Sequence, residues 1–266
     1  MVEVWVSALA TKYKCHFCKN CNGFACKSAL PGMGGVFESA NFIQNVADWT
    51  KVREENPTAI EEYLKKNQSP KIALAPMTGA VENMGFEEEE TYYKKIVRAL
   101  KNTKVDICLG DGCPDEKLLF GIKAVEETEQ KASIFIKPYI NSKIIERMEW
   151  ASKIADCFGI DTDAYNIVTM RNKVNLDKKN VETLSELKKI ANTKYNVPFA
   201  IKGIFTQEDL ELVKEVHPDI AFISNHGGRV ETDRGSTARF LLEHAKEIKN
   251  YCKEIWVDGG IRTSLL

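Results

Sequence analysis

Residues 198–229 read PFAIKGIFTQEDLELVKEVHPDIAFISNHGGR. An apolar run, Pro198–Ile204, gives way to a polar segment with apolar residues at helical spacing, Gln207–Val216. A second apolar run follows, Ile220–Asn225. Continuous apolar runs of this kind suit parallel strands buried on both faces. Thr206, with Asp209 three residues on, forms a capping box for the intervening helix. The same rhythm extends outward. Further strands are predicted at Ile72–Met77, Val105–Gly110, Ser133–Tyr139, Cys157–Asp161 and Glu254–Asp258. Further helices are predicted at Glu88–Leu100, Asp115–Glu127, Ser142–Ala155, Val181–Ala191 and Thr237–Tyr251. No glycine-rich dinucleotide fingerprint follows the first strand. The alternation therefore predicts an α/β fold, a TIM (β/α)8-type barrel with about seven of its eight strands, rather than a doubly wound sheet. The chain ends at Leu266. On that reading a closing βα unit and helix, roughly 45–60 residues, are absent through fragmentation or truncation.

Composition agrees with a globular protein. Of 266 residues, 44% are hydrophobic and 28% charged, near the soluble average. No apolar run approaches the roughly 20 residues of a membrane span. No basic residue precedes the apolar start Met1–Ala10, which argues against a signal peptide. With 37 basic and 38 acidic residues the formal charge is −1. That balance gives no reason to expect nucleic acid or an anionic membrane as a partner. The expected organisation is a Cys-rich segment at 1–36, a helical cover at 37–70 built on Ser39–Val52 and Pro57–Lys66, and the barrel at 71–266.

Eight cysteines are present, and Cys15, Cys18, Cys21 and Cys26 fall within a dozen residues. A long chain with its cysteines clustered at one end differs from a secreted disulfide framework. A reducing cytoplasm and a thiolate metal site are expected. The spacing is close to an iron–sulfur run but has four residues in its last gap and no following proline. Tetrahedral zinc also fits, as do reduced thiols without metal. Gly32, Gly34 and Gly35 have no strand before them, so a plain turn is expected there.

Active sites of such barrels lie at the C-terminal ends of the strands. The strand exits here carry Pro76-Met77-Thr78, Gly110-Asp111, Lys137-Pro138-Tyr139, Asp161-Thr162-Asp163, Lys202-Gly203, Ser224–Arg229 and Asp258-Gly259-Gly260-Ile261-Arg262. A convergent set of Asp, Lys, His, Arg and Tyr exceeds what a stable barrel needs.

Ser-Asn-His-Gly-Gly-Arg at 224–229, then Asp-Gly-Gly-Ile-Arg at 258–262, with Ala-Ile-Lys-Gly at 200–203, resembles the FMN-dependent α-hydroxy-acid oxidase/dehydrogenase family. The resemblance covers about residues 70–262. It implies oxidation of a small 2-hydroxy acid to the 2-oxo acid, with electrons passing to FMN. It implies His226 as base, Asp161 as its carboxylate partner, Arg229 on the substrate carboxylate and Tyr139 on a substrate oxygen. Lys202 would offset charge on reduced FMN. Pro76, Met77 and Thr78 would line the flavin, with Lys137 and Ser224 also on the cofactor. Asp258, Gly259, Gly260 and Arg262 would meet the ribityl phosphate end. Several positions depart from the family pattern. Lys137 stands where a glutamine is usual, and Gly110 where Ser or Thr is usual. After Asp161 no arginine occurs before Arg171, and an N-terminal substrate tyrosine has no counterpart. These changes point to an altered substrate pocket.

Other residues read more plainly. Asp163 is expected to cap the following segment. His16, His217 and His244 are expected to be structural or solvated, and Cys113 structural. Two rival functions remain open on sequence: a flavin-barrel isomerase or reductase, and a non-catalytic truncated barrel with an N-terminal metal site. The family resemblance also implies a homo-oligomer. The electron acceptor is open.

Overall fold

The computed structural model describes residues 40–58, 62, 65, 70–81, 86–167, 174–230 and 233–261. Helix α1, Ala40–Glu55, comes first. Then strands β1 (Ile72–Leu74), β2 (Val105–Gly110), β3 (Ala132–Ile136), β4 (Ala155–Asp161), β5 (Phe199–Ile204), β6 (Ile220–Ile223) and β7 (Glu254–Val257) alternate with helices α2 (Glu89–Leu100), α3 (Glu116–Glu127), α4 (Asn141–Ala151), α5 (Val181–Lys194), α6 (Gln207–Val216) and α7 (Thr237–Ile248). The seven strands form one sheet in sequence order, every pairing parallel. This is the expected TIM-type architecture. Its two edges lie within side-chain reach, since Lys71 Nζ, just before β1, is 3.6 Å from Glu254 in β7.

The helices pack on the sheet through apolar residues at helical spacing. Examples are Leu184, Leu187 and Ala191 in α5 and Leu210, Val213 and Val216 in α6, all buried. The Thr206–Asp209 capping box is present as read. Helix α6 ends with His217 in the left-handed conformation, φ 50°, a structural role for that histidine. Cys108, Phe135, Cys157, Ala200, Ile220 and Phe222 form a buried cluster against Trp256. Gly159 is required there, because a Cβ would lie 2.5 Å from the Phe135 ring.

The strands are shorter at their exits than the apolar runs. β1 ends at Leu74, β3 at Ile136 and β6 at Ile223, so residues 75–79, 137–139 and 224–229 leave the sheet as loops. Helix α4 stops at Ala151, and β4 begins earlier than read, at Ala155. Part of the second cover helix, 57–66, lies outside the described residues. So do the N-terminal segment 1–39, with Cys15, Cys18, Cys21 and Cys26, and residues 262–266, with Arg262.

Candidate active site

The site is built from strand exits. Register places Asp161, the last residue of β4, beside Lys202 of β5. A register irregularity between Lys202 and Ile204 coincides with Gly203, whose φ is +102°. A Cβ on Gly203 would lie 2.4 Å from the Asp163 carboxylate, so this glycine makes room for Asp163.

Asp161 is the hub. Its Oδ2 accepts from Lys137 Nζ at 2.5 Å and lies 2.9 Å from His226 Nε2. Its Oδ1 accepts from Lys202 Nζ at 3.2 Å. Burial opposes charge on Asp161, but His226, Lys137 and Lys202 outweigh it and hold its pKa well below the usual carboxylate range. Lys202 is 2% exposed. It also donates to Ser224 Oγ at 2.9 Å and lies 3.6 Å from Asp258 Oδ2. Burial opposes its charge too, yet Asp161, then Asp258 and Asp163, raise its pKa.

His226 is held at both ring nitrogens. Nδ1 lies 2.8 Å from Asp163 Oδ2, which corrects the reading of Asp163 as a cap: its side chain makes no capping hydrogen bond to the short helix Ala164–Asn166. Both contacts are hydrogen bonds to ionised carboxylates only when both nitrogens carry protons. Asp161, Asp163 and His226 offer ligand atoms within 4.8 Å of one another, a set that would suit a divalent ion. The two ammonium groups already on Asp161 oppose that use.

The loop after β6 bends sharply, with His226, Gly227 and Gly228 at φ 53°, 65° and 92°. Arg229 Nη1 folds back to donate to the His226 carbonyl at 3.1 Å. This keeps imidazole and guanidinium on one short loop. Helix α1 packs directly on it: a Cβ on Gly228 would lie 2.4 Å from the Phe42 backbone.

The other predicted residues sit around this centre. Pro76, Met77 and Thr78 follow β1, partly exposed. Their loop is fixed by the buried Glu89, whose carboxylate accepts from the Gly79 and Ala80 amides at 2.7 and 2.6 Å. Gly110 lets β2 approach this loop, since a Cβ there would lie 2.6 Å from the Pro76 carbonyl oxygen. Tyr139 is at the β3 exit but is buried, with Lys143 Nζ 4.3 Å and the Arg147 guanidinium 4.9 Å from its ring. Burial, then Asp111, push its phenol up to about 12. Gly259 and Gly260 both have positive φ, but a Cβ at Gly260 would strike the Asn45 carbonyl at 2.2 Å. These glycines therefore admit helix α1, a role beyond the anion approach read from sequence. Cys113 is exposed, which does not suit a buried structural role.

Sequence reading missed Arg147, fully buried, whose Nε donates to Asp111 at 2.8 Å and Nη2 to Asp115 at 2.5 Å. It also missed the role of Asn41, Asn45 and Asp48. These are buried polar residues of α1, spaced along one helix face. An apolar-periodicity search cannot see a face made of two amides and a carboxylate.

An FMN isoalloxazine and its ribityl chain need a cation for the electron-rich edge and acceptors for the hydroxyls. The donor set fits. Lys202 supplies a buried ammonium. Asp258 Oδ1 is buried and has no partner among the described residues, an acceptor suited to a hydroxyl rather than to phosphate. On Asp163's flank lies a cleft of about 350 Å³, lined in part by Tyr165, Gly203, Phe205 and Val230.

The carboxylate-held histidine, the arginine on the same loop and the buried lysines all lie at the strand exits, the end of a parallel barrel where active sites are built. Residues 123–265 match the family described as FMN-dependent dehydrogenase. The chain belongs to that family. It is 36% identical over 67 residues to 2-hydroxyacid oxidase 2 of Rattus norvegicus, covering 25% of this chain and 19% of that protein. It is 43% identical over 68 residues to an L-lactate dehydrogenase of Vibrio parahaemolyticus, covering 26% and 18%. Among solved structures it resembles a mandelate oxidase variant with 4-Br-2-hydroxy-methylphenylacetate, at TM-score 0.55, 19% identity, and 73% and 59% coverage of this chain and that one. It also resembles a flavocytochrome b2 variant with pyruvate bound, at TM-score 0.52, 19% identity, and 72% and 52% coverage. The alignments thus span about a fifth of the curated relatives and somewhat over half of these structures. No described helix is long and apolar enough to cross a membrane.

Proposed function

We propose that this protein oxidises a small 2-hydroxy acid to the 2-oxo acid with FMN as first electron acceptor. The observation that carries the reading is His226 Nε2, 2.9 Å from an Asp161 whose other oxygen takes the Lys202 ammonium. When bound, FMN supplies the sink for the two electrons that leave the substrate. His226 takes the proton leaving the substrate's α-carbon or its hydroxyl, and Asp161 stabilises the resulting imidazolium. Arg229 holds the substrate carboxylate. Lys202 keeps a positive charge where negative charge develops, and Tyr139 is the residue proposed for the substrate oxygen.

A base needs one ring nitrogen facing its substrate. Asp161 is fixed by two lysines, so the Asp163 contact is the one proposed to open on substrate entry. The cleft beside Asp163 offers room for a substrate side chain. The four N-terminal cysteines are proposed as a metal site on spacing alone. Substituting Cys18 should change metal content without removing FMN, as read by elemental analysis and flavin absorbance; unchanged metal would remove the site.

The decisive experiment is an anaerobic absorption spectrum of the protein with FMN, then with a panel of 2-hydroxy acids. Flavin bands that bleach with one acid support the reading. His226→Ala should bind FMN and not bleach; normal bleaching removes His226 as the base. Bleaching by a nicotinamide donor and by none of the acids would favour a reductase.

A further inference from the structure

Three consecutive left-handed residues are a costly backbone, about 1–2 kcal/mol for a non-glycine position such as His226. Such a loop persists only where its surroundings over-determine it. Within the loop, the Gly228 amide donates to the Asn225 carbonyl at 2.9 Å and is shared with the Asn225 side chain, whose Oδ1 accepts from it at 3.0 Å. That bond needs the Asn225 carboxamide in one orientation, because a flip would set an NH2 against an N–H. The orientation is fixed from 180 residues away. Asn45 Nδ2 donates to Asn225 Oδ1 at 2.7 Å, and Asn225 Nδ2 donates to Asn45 Oδ1 at 3.2 Å. Asn45 is oriented in turn by the Thr237 amide, which donates to its Oδ1 at 3.0 Å. A backbone N–H thus stands at each end of the chain of bonds, and only one arrangement of the two amides satisfies both. Asn45 and Asn225 are each 0% exposed, so water cannot substitute.

We propose that Asn45 is a positioning residue for the redox step. Through Asn225 it holds the loop so that His226 and Arg229 face the substrate together. This rests on the hydroxy-acid reading for its catalytic consequence, but not for its structural one.

The test uses the FMN-loaded protein and the rate at which L-lactate, glycolate or mandelate bleaches bound FMN, with hydrogen exchange of residues 225–230 measured in parallel. Asn45→Ala should lower the limiting rate about ten- to a hundred-fold, the scale expected when a reacting group is misplaced by around 1 Å. The α-deuterium isotope effect should rise and exchange at 225–230 should speed up. Asn45→Asp, which keeps the acceptor for Thr237 but loses the donor to Asn225, should do the same and serves if the alanine variant does not fold. Glu55→Gln is the control. It loosens the exposed pair of α1 with Arg239 without touching the amides, and should stay within about two-fold of the parent. A normal rate in a folded Asn45 variant overturns the proposal, and so does an equal loss in Glu55→Gln. If no acid bleaches the parent protein, the hydroxy-acid reading fails, and exchange alone decides: faster exchange in the Asn45 variants only upholds the positioning role, and unchanged exchange overturns it.

Discussion

Asp161 and Asp163 touch the same imidazole from opposite sides, yet they differ in what else holds them. Asp161 answers two lysine ammonium groups and the His226 ring, whereas Asp163 answers His226 at one oxygen and leaves Oδ1 buried without a partner among the described residues. Their substitutions should therefore diverge. Asp161→Asn should slow flavin reduction by about 10²–10⁴-fold, the range of a base catalyst's contribution. It should also cost about 3–5 kcal/mol in chemical denaturation, because two buried lysines lose their counter-charge. Asp163→Asn should change the reduction rate less than ten-fold, about 1.4 kcal/mol or below; a loss equal to that of Asp161→Asn would show that the Asp163 contact does not open. The pH dependence follows in sign. Asp161 has a native pKa below its unfolded value of about 3.9. Its stabilisation is complete above that value and is lost as pH falls through the native one. Denaturation midpoints should fall in acid for the parent protein, with a flatter acid limb in Asp161→Asn.

At the scale of elements, the β6 loop and α1 are one unit made of distant pieces. Gly228→Ala should cost about 2–4 kcal/mol, from left-handed strain and collision with the Phe42 backbone; calorimetry showing an unchanged Tm would contradict this packing. The strand–helix rhythm was legible because Leu184, Leu187 and Ala191, or Leu210, Val213 and Val216, announce a buried stripe. The contact of His226 with Asp161 was legible only through the family resemblance, since spacing alone does not say which strand exits converge. Asp163 was misread because a carboxylate after a strand looks the same whether it caps a turn or reaches a neighbouring loop. Asn45 was invisible for a different reason: its meaning comes from a partner 180 residues on, and local pattern carries no such term. Strand ends were overrun by two or three residues because nothing local in the sequence marks where the paired ladders of β1, β3 and β6 stop, at Leu74, Ile136 and Ile223.

For the whole molecule, FMN should act as a stabilising ligand. At a hundred-fold excess over its Kd, mass action gives about 2.7 kcal/mol, a rise of roughly 5–10 °C in Tm for a chain of this size. Lys202→Met should shrink that rise in a thermal-shift titration, and an equal rise would remove Lys202 from the cofactor's surroundings. The polar clamp of α1 also bears on how the chain matures. During synthesis α1 emerges long before Asn225, Thr237 and Gly259, which it must meet. An apolar face left waiting over that interval would invite aggregation. A face of Asn41, Asn45 and Asp48 can remain hydrated until its partners arrive, exchanging water for amide and hydroxyl partners only at the end. The bonds that complete the site are then among the last made, and protein caught before that step would hold its strands and still lack a working centre.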